Sequence, residues 1–88
     1  SGDVQLILAG ANPVRDRTEI IIETVSEDIT SLNLYDIEGN LLKRYINSSL
    51  KPGIKLITFE SDDYPSGSYR LVLISGNTVK QLTITNLR

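Results

Sequence analysis

The chain has 88 residues, of which 40% are hydrophobic and 23% are charged, and its formal net charge is -2. This length predicts one domain with a modest core, and the lack of histidine and cysteine excludes disulfides, catalytic triads and the usual zinc ligands. Lysine and arginine are spread along the chain, which argues against the basic stripe of a nucleic-acid-binding protein.

The domain assignment follows from the N-terminus and from the apolar runs. Ser1-Gly2 is typical of a cloning remnant, so residues 1–3 are interpreted as a remnant or linker and residues 4–88 as a single domain. The chain is interpreted as a fragment of a longer protein. Its sequence contains no apolar run near the roughly 20 residues that a membrane-spanning helix requires.

The first half of the chain predicts short strands separated by polar turns. Residues 4–9 predict an edge strand that ends before Pro13, because proline has no N–H to donate to a β-ladder. Residues 18–25 are rich in β-branched side chains and predict a second strand, with Ile20 and Ile22 on one face. Strands 31–37 and 41–46 then flank a hairpin turn at Gly39, which can adopt a positive φ.

The second half predicts a long loop, one strand and a final hairpin. Residues 47–53 are the longest predicted loop, and residues 54–60 predict a strand with Ile57 and Phe59 on one face. Residues 65–85 read as a turn, a strand, a Gly-Asn turn and a strand. The faces that alternation predicts to be buried in this hairpin carry Tyr69, Leu71, Leu73, Leu82 and Ile84.

These elements predict an all-β fold, an immunoglobulin-like antiparallel sandwich of about seven strands. In such domains a tyrosine at the start of the penultimate strand folds back to hydrogen-bond the preceding loop, an arrangement called the tyrosine corner. Tyr69 has this position, and Leu71 stands where antibody domains carry a cysteine. The alternative is that Tyr69 is an ordinary amphipathic core residue.

Some surface features have two possible interpretations. Asp36 with Glu38 superficially resembles a calcium loop, but the required ligand spacing is missing, so we expect a hairpin turn in which Asp36 accepts backbone hydrogen bonds. The basic segments 15–17 and 43–44 are either solvated charge or partner contacts. Self-association, or coverage by twist and loops, would explain the apolar residues on the outward faces, which are Ile21, Tyr35, Val72 and Ile74.

The order and spacing of several motifs resemble the C-terminal sorting domain of type IX (Por) secretion substrates. The chain has an Asn-Pro opening, a Tyr-Asp-x-x-Gly hairpin and a Pro-x-Gly-x-Tyr turn before a last hairpin, and the resemblance spans residues 9–88. Tyr64 replaces the usual leucine, and the tail is less basic than is common in that family. The residues that the resemblance singles out are Asn12, Pro13, Tyr35, Asp36, Gly39, Gly53, Pro65, Gly67, Tyr69, Leu71, Leu82 and Ile84.

The resemblance implies a role in addressing rather than in catalysis. Such a domain directs its cargo from the periplasm across the outer membrane, where the cargo is attached to the cell surface or released. The implied partners are the type IX outer-membrane translocon, a sortase-like peptidase and, through the parent protein, anionic lipopolysaccharide. No cofactor, metal site or catalytic residue is expected. The alternative is a generic immunoglobulin-like accessory or adhesion module of an extracellular protein, and a sorting domain, unlike that module, must end its polypeptide.

Overall fold

Seven strands form the domain in the computed structural model, which describes residues 4–10 and 12–87. A single 3-10 turn at Ser61–Asp63 is the helical exception within these residues. The remnant assigned to residues 1–3 lies outside the described residues. The strands are β1 (Val4–Ala9), β2 (Arg17–Thr24), β3 (Asp28–Tyr35), β4 (Leu41–Leu50), β5 (Gly53–Glu60), β6 (Gly67–Ser75) and β7 (Thr78–Asn86).

The strands build two antiparallel sheets, so the prediction of an immunoglobulin-like sandwich is confirmed. One sheet has three strands in the order β1-β2-β5, and the other has four in the order β4-β3-β6-β7. In an antibody constant domain the fourth strand belongs with the first, second and fifth. Here β4 instead pairs with β3, because a turn of few residues brings it back alongside that strand.

The core lies between the sheets and follows the predicted alternation. Ile20 and Ile22 from β2 face Leu32 and Leu34 from β3, and all four are fully buried. Phe59, Leu71, Leu73 and Ile84 are also fully buried. Each of these side chains stabilises the fold by about 1.5–3 kcal/mol relative to an exposed position.

The predicted loop at residues 47–53 is wrong, because most of this segment is strand. β4 continues to Leu50, and its polar residues Asn47 and Ser48 pair with Ser31 and Thr30 of β3. The connection to β5 is reduced to residues 51 and 52. Residues 47–49 are polar and exposed on an edge strand, so this segment lacks the apolar alternation that predicts a strand.

The two long sides of the sandwich differ. On one side, residues 12–14 cross from the three-stranded sheet and Val14 forms a parallel bridge with Asn86 of β7. On the other side, β4 and β5 are unpaired edges. Register shifts interrupt β4, and Lys55 lies on the inward face of β5 opposite Ile22, two features that oppose further strand pairing.

Candidate recognition site

Most of the motif residues gather at one end of the sandwich, which we call the motif end. Consecutive strands alternate in direction, so the connections 10–16, 36–40 and 61–66 lie at this end, and 25–27, 51–52 and 76–77 lie at the opposite end. The last described residues of the chain also reach the motif end, because Asn86 pairs with Gly67 at the start of β6. The final strand therefore contacts two of these loops, 10–16 and 61–66.

Asn12 fastens the first of these loops to the final strand. Its side-chain amide nitrogen donates to the carbonyl oxygen of Thr83 at 3.2 Å, and its side-chain oxygen accepts from the backbone N–H of Thr85 at 3.0 Å. Next to it, the N–H of Val14 donates to the Thr85 carbonyl at 2.7 Å, and the N–H of Leu87 donates to the Val14 carbonyl at 2.8 Å. The amide of Asn12 thus extends a short backbone ladder by one position. The bond between Asn12 and Pro13 is cis.

Asn86 holds the third loop, and the sequence analysis missed it. This residue is fully buried, and its side-chain nitrogen lies 3.0, 3.1 and 3.2 Å from the carbonyl oxygens of Ser61, Tyr64 and Pro65. The signal was available, because an asparagine follows Leu82 and Ile84 at the next inward position of an alternating strand. A buried amide nitrogen must find hydrogen-bond acceptors, and here the loop carbonyls supply them.

Tyr69 completes the same loop, as the tyrosine-corner prediction required. Its hydroxyl donates to the Pro65 carbonyl oxygen, four residues earlier, at 2.5 Å. Its ring packs with those of Phe59 and Tyr64 at centroid distances of 6.4 and 5.6 Å. Tyr64 stacks on Phe59, with ring centroids 5.4 Å apart and an interplanar angle of 12°. Tyr64 therefore adds ring packing to the loop that Asn86 holds.

A second tyrosine hydroxyl lies at the edge of this cluster. Burial, followed by the neighbouring Tyr64 and Asp63, raises the pKa of Tyr45 well above its usual range. Lys43 lies over the Tyr45 ring, with its Nζ atom 5.1 Å from the centroid. Because a phenol with a raised pKa stays protonated near neutral pH, Tyr45 acts here as a neutral packing and hydrogen-bonding residue.

Asp36 organises the second loop and behaves as a turn residue. Its Oδ1 atom accepts the backbone N–H groups of Glu38 and Asn40, each at 2.9 Å, and its Oδ2 atom accepts the Asn40 side-chain amide at 3.0 Å. The Asn40 side chain, followed by backbone N–H groups of the turn, lowers the pKa of the Asp36 carboxyl. Gly39 has the predicted positive φ, 89°. The prediction of a hydrogen-bonded turn is confirmed.

The remaining motif residues are placed differently. Tyr35 lies on the outer face of the four-stranded sheet, where its hydroxyl accepts from the Asn33 side chain at 3.1 Å. Gly53 begins β5 at the opposite end, and Gly67 begins β6 at the motif end. Pro13 follows Asn12 and is exposed. Leu71, Leu82 and Ile84 contribute to the core or pack against it.

The acidic residues of the other turns are dispersed over the two ends of the sandwich. Asp62 and Asp63 are exposed in the 3-10 turn, and Glu27 accepts the Ser49 hydroxyl at 3.1 Å at the opposite end. Across residues 4–10 and 12–87, the structure brings together no group of three metal-ligating side chains. It also has no helix long and apolar enough to cross a membrane within those residues.

An open groove of about 460 Å³ lies beside the 36–40 turn on the outer face of the four-stranded sheet. Tyr35, Val72 and Gln81 line it, together with Arg70 and the turn residues. These side chains suit hydrogen bonding and aromatic stacking, and they include no nucleophile with an adjacent base.

Comparison with known proteins does not identify the chain. A scan against protein-family models gives no match, and a search of curated proteins finds no significant relative.

Proposed function

We propose that this domain is a non-catalytic sorting signal that directs an exported cargo protein through the type IX secretion system. One observation carries the proposal: three separate sequence motifs converge on the motif end, where side-chain and backbone hydrogen bonds fix two of them to the final strand. A signal that depends on the shape of a folded end requires such rigidity, because a partner can then bind without ordering the loops first.

The proposed role involves a defined set of partners and places. The outer-membrane translocon reads the domain in the periplasm, and a sortase-like peptidase then acts on the cargo junction. The cargo reaches the outer-membrane surface, attached through anionic lipopolysaccharide, or is released. The proposal requires that this domain end its parent polypeptide.

A reporter fusion tests this function. A fluorescent protein followed by residues 1–88 is expressed in a type IX-competent bacterium and in the same strain without the translocon. We expect surface or medium delivery in the first strain and periplasmic retention in the second. Equal delivery in both strains, or retention in both, would overturn the proposal.

Matched variants locate the part of the domain that is read. The double variant Asn12→Ala, Asp36→Ala alters the motif end, and Ser26→Ala, Asn77→Ala alters the opposite end by the same number of exposed or partly exposed residues. We expect delivery to fall for the first variant and to be retained by the second, with both variants shown to be folded by circular dichroism. The reverse order would place the signal at the other end.

A second candidate function is an accessory or adhesion module, and the groove beside Tyr35 favours it. An aromatic ring next to Arg70 and Gln81 on an exposed sheet is suited to ligand contact. Deleting residues 12–88 from the parent protein separates the two candidates. A sorting signal predicts cargo trapped in the periplasm, and an adhesion module predicts normal delivery with lost attachment.

A further inference from the structure

An apolar patch covers the outer face of the three-stranded sheet. The strand register sets Ile7 opposite Ile21 and Ile21 opposite Leu56, so one row crosses all three strands. Ile7, Leu56 and the nearby Ile54 are 44%, 62% and 68% exposed, respectively. We call Ile7, Ile21, Ile54 and Leu56 the outer apolar patch. Single exposed apolar side chains are common in proteins, but a continuous row across a sheet marks an interaction surface.

Acidic side chains border this patch. Glu19 and Glu23 lie on β2 on either side of Ile21 and share its face, because alternate residues of a strand point the same way. The Thr58 hydroxyl donates to both carboxylate oxygens of Glu19, at 3.1 and 3.3 Å. Arg17 also lies on this face, beyond Glu19 and opposite Glu60 of β5, so the charges next to Ile21 itself are the two carboxylates that flank it.

This charge pattern disfavours a second copy of the chain as the occupant. Two faces of this kind bring glutamates together when they are related by a two-fold axis that passes over Ile21 and runs either along or across the strands. An axis along the strands sets Glu19 over Glu19 and Glu23 over Glu23, and an axis across the strands sets Glu19 over Glu23. Packed sheets lie about 10 Å apart, so both arrangements would bury glutamates of the two copies close together in an interface from which water is excluded. Such like-charge contacts disfavour association.

We propose that the outer apolar patch binds a partner protein through a surface that combines apolar side chains with lysine or arginine. The apolar side chains cover Ile7, Ile21 and Leu56, and the cations meet the β2 glutamates. The outer apolar patch lies on the three-stranded sheet, whereas Tyr35 and its groove lie on the four-stranded sheet. Binding at the patch does not depend on the sorting role. Failure of the reporter experiment would leave it unaffected.

Two synthetic peptides of equal length, one alternating valine with lysine and one alternating valine with glutamate, test the inference by nuclear magnetic resonance titration. We expect the lysine peptide to shift the amide signals of β1, β2 and β5, and the glutamate peptide to leave them unchanged. Added salt should weaken the binding of the lysine peptide, because salt screens the attraction between exposed charges.

Variants of the domain make the test specific. Leu56→Ser removes an exposed apolar side chain of the patch. It should lower the affinity for the lysine peptide about tenfold, because a few central apolar contacts dominate such interfaces. Val79→Ser is the matched control, since Val79 is 55% exposed on the other sheet, and it should leave the affinity unchanged. The amide spectra of both variants show whether they are folded.

Several results would overturn the inference. These are equal shifts with both peptides, no shift with either peptide, and an affinity that Leu56→Ser leaves unchanged. Sedimentation equilibrium adds another: a dimer of the unmodified domain that Leu56→Ser dissociates would show that a second copy covers the patch. A monomer that binds only the lysine peptide supports the inference.

Discussion

The two ends of the sandwich hold their loops in different ways. At the motif end, two loops that follow strands of the three-stranded sheet are fastened to β7 of the other sheet through Asn12 and Asn86. At the opposite end, contacts join segments next to adjacent strands of the same sheet, such as the Gly76 N–H to the Ile29 carbonyl at 3.2 Å and the Thr24 hydroxyl to the Lys51 carbonyl at 3.2 Å. Two loops at the motif end thus share one strand as their hydrogen-bonding partner, which sets this end apart.

The largest expected effect comes from removing the buried amide of the motif end. Asn86→Ala deprives the carbonyls of Ser61, Tyr64 and Pro65 of their shared donor. We expect the free energy of unfolding to fall by about 2–4 kcal/mol, measured by urea denaturation. Asn47→Ala, at an exposed position of β4, is the control and should change it by less than about 0.5 kcal/mol. If Asn86→Ala lowered the free energy of unfolding no more than the control does, the hydrogen bonds of Asn86 would not be what stabilises the motif end.

The tyrosine corner should have the next largest effect. Tyr69→Phe keeps the packing with Phe59 and Tyr64 and removes the hydrogen bond to Pro65. We expect a loss of about 1–2 kcal/mol in the free energy of unfolding. Tyr35→Phe removes a hydroxyl from the outer sheet face and should have a smaller effect. If the two variants lost equal stability, the corner would have no special role.

Asn12 should contribute less, because it is exposed. Asn12→Ala removes two hydrogen bonds to β7 and should lower the free energy of unfolding by about 0.5–1.5 kcal/mol. Amide hydrogen exchange gives the local readout, since the Thr85 N–H loses its acceptor and should exchange faster. Unchanged exchange at the Thr85 N–H would contradict the role of Asn12 in fastening its loop to β7.

Asp36 should make the motif end sensitive to acid. Its pKa is lower in the folded domain than its ordinary value, so its contribution to stability is present above the ordinary pKa and is lost as the pH falls through the folded value. We expect a carboxyl chemical-shift titration with a midpoint below the ordinary pKa. Asp36→Asn should flatten the acid limb of the stability profile, and an identical limb would contradict this assignment.

The smallest effect is expected at the opposite end. Ile29 is 77% exposed beside the 25–27 connection, although it is large and apolar. Ile29→Ser should change the free energy of unfolding by less than about 0.5 kcal/mol in urea denaturation, because little apolar surface is returned to water. A loss comparable to that of Tyr69→Phe would show that the two ends are equally constrained.

The sequence predicted strands wherever alternation was set by burial. Ile20, Ile22, Leu71 and Leu73 each face the core because a strand covered on one side must alternate. The same rule failed for β4, whose residues 47–49 are polar and exposed, and for the start of β3, which begins at Asp28 rather than at residue 31. Pairing between those two segments determines both strands, and pairing is not visible in either segment alone.

The candidate site was predictable only in part. The Asp36 turn and the Tyr69 corner follow from local chemistry, because each side chain bonds to backbone within four residues. The role of Asn86 depends on carbonyls 21 to 25 residues away in sequence, and that of Asn12 on groups 71 and 73 residues away. Such contacts require knowledge of which strand lies beside which loop.

Amide hydrogen exchange in the unmodified domain and in Asn86→Ala tests most directly whether the final strand holds the motif end together. The Ser61 N–H donates to the Asp16 carbonyl at 2.8 Å, which joins the 61–66 loop to the 10–16 loop. We predict that the Val14, Ser61 and Leu87 amides are protected to a similar degree in the unmodified domain and lose protection together in the variant, while the Gly76 amide is unchanged. Loss confined to Ser61, or no loss at any of the three amides, would contradict this account.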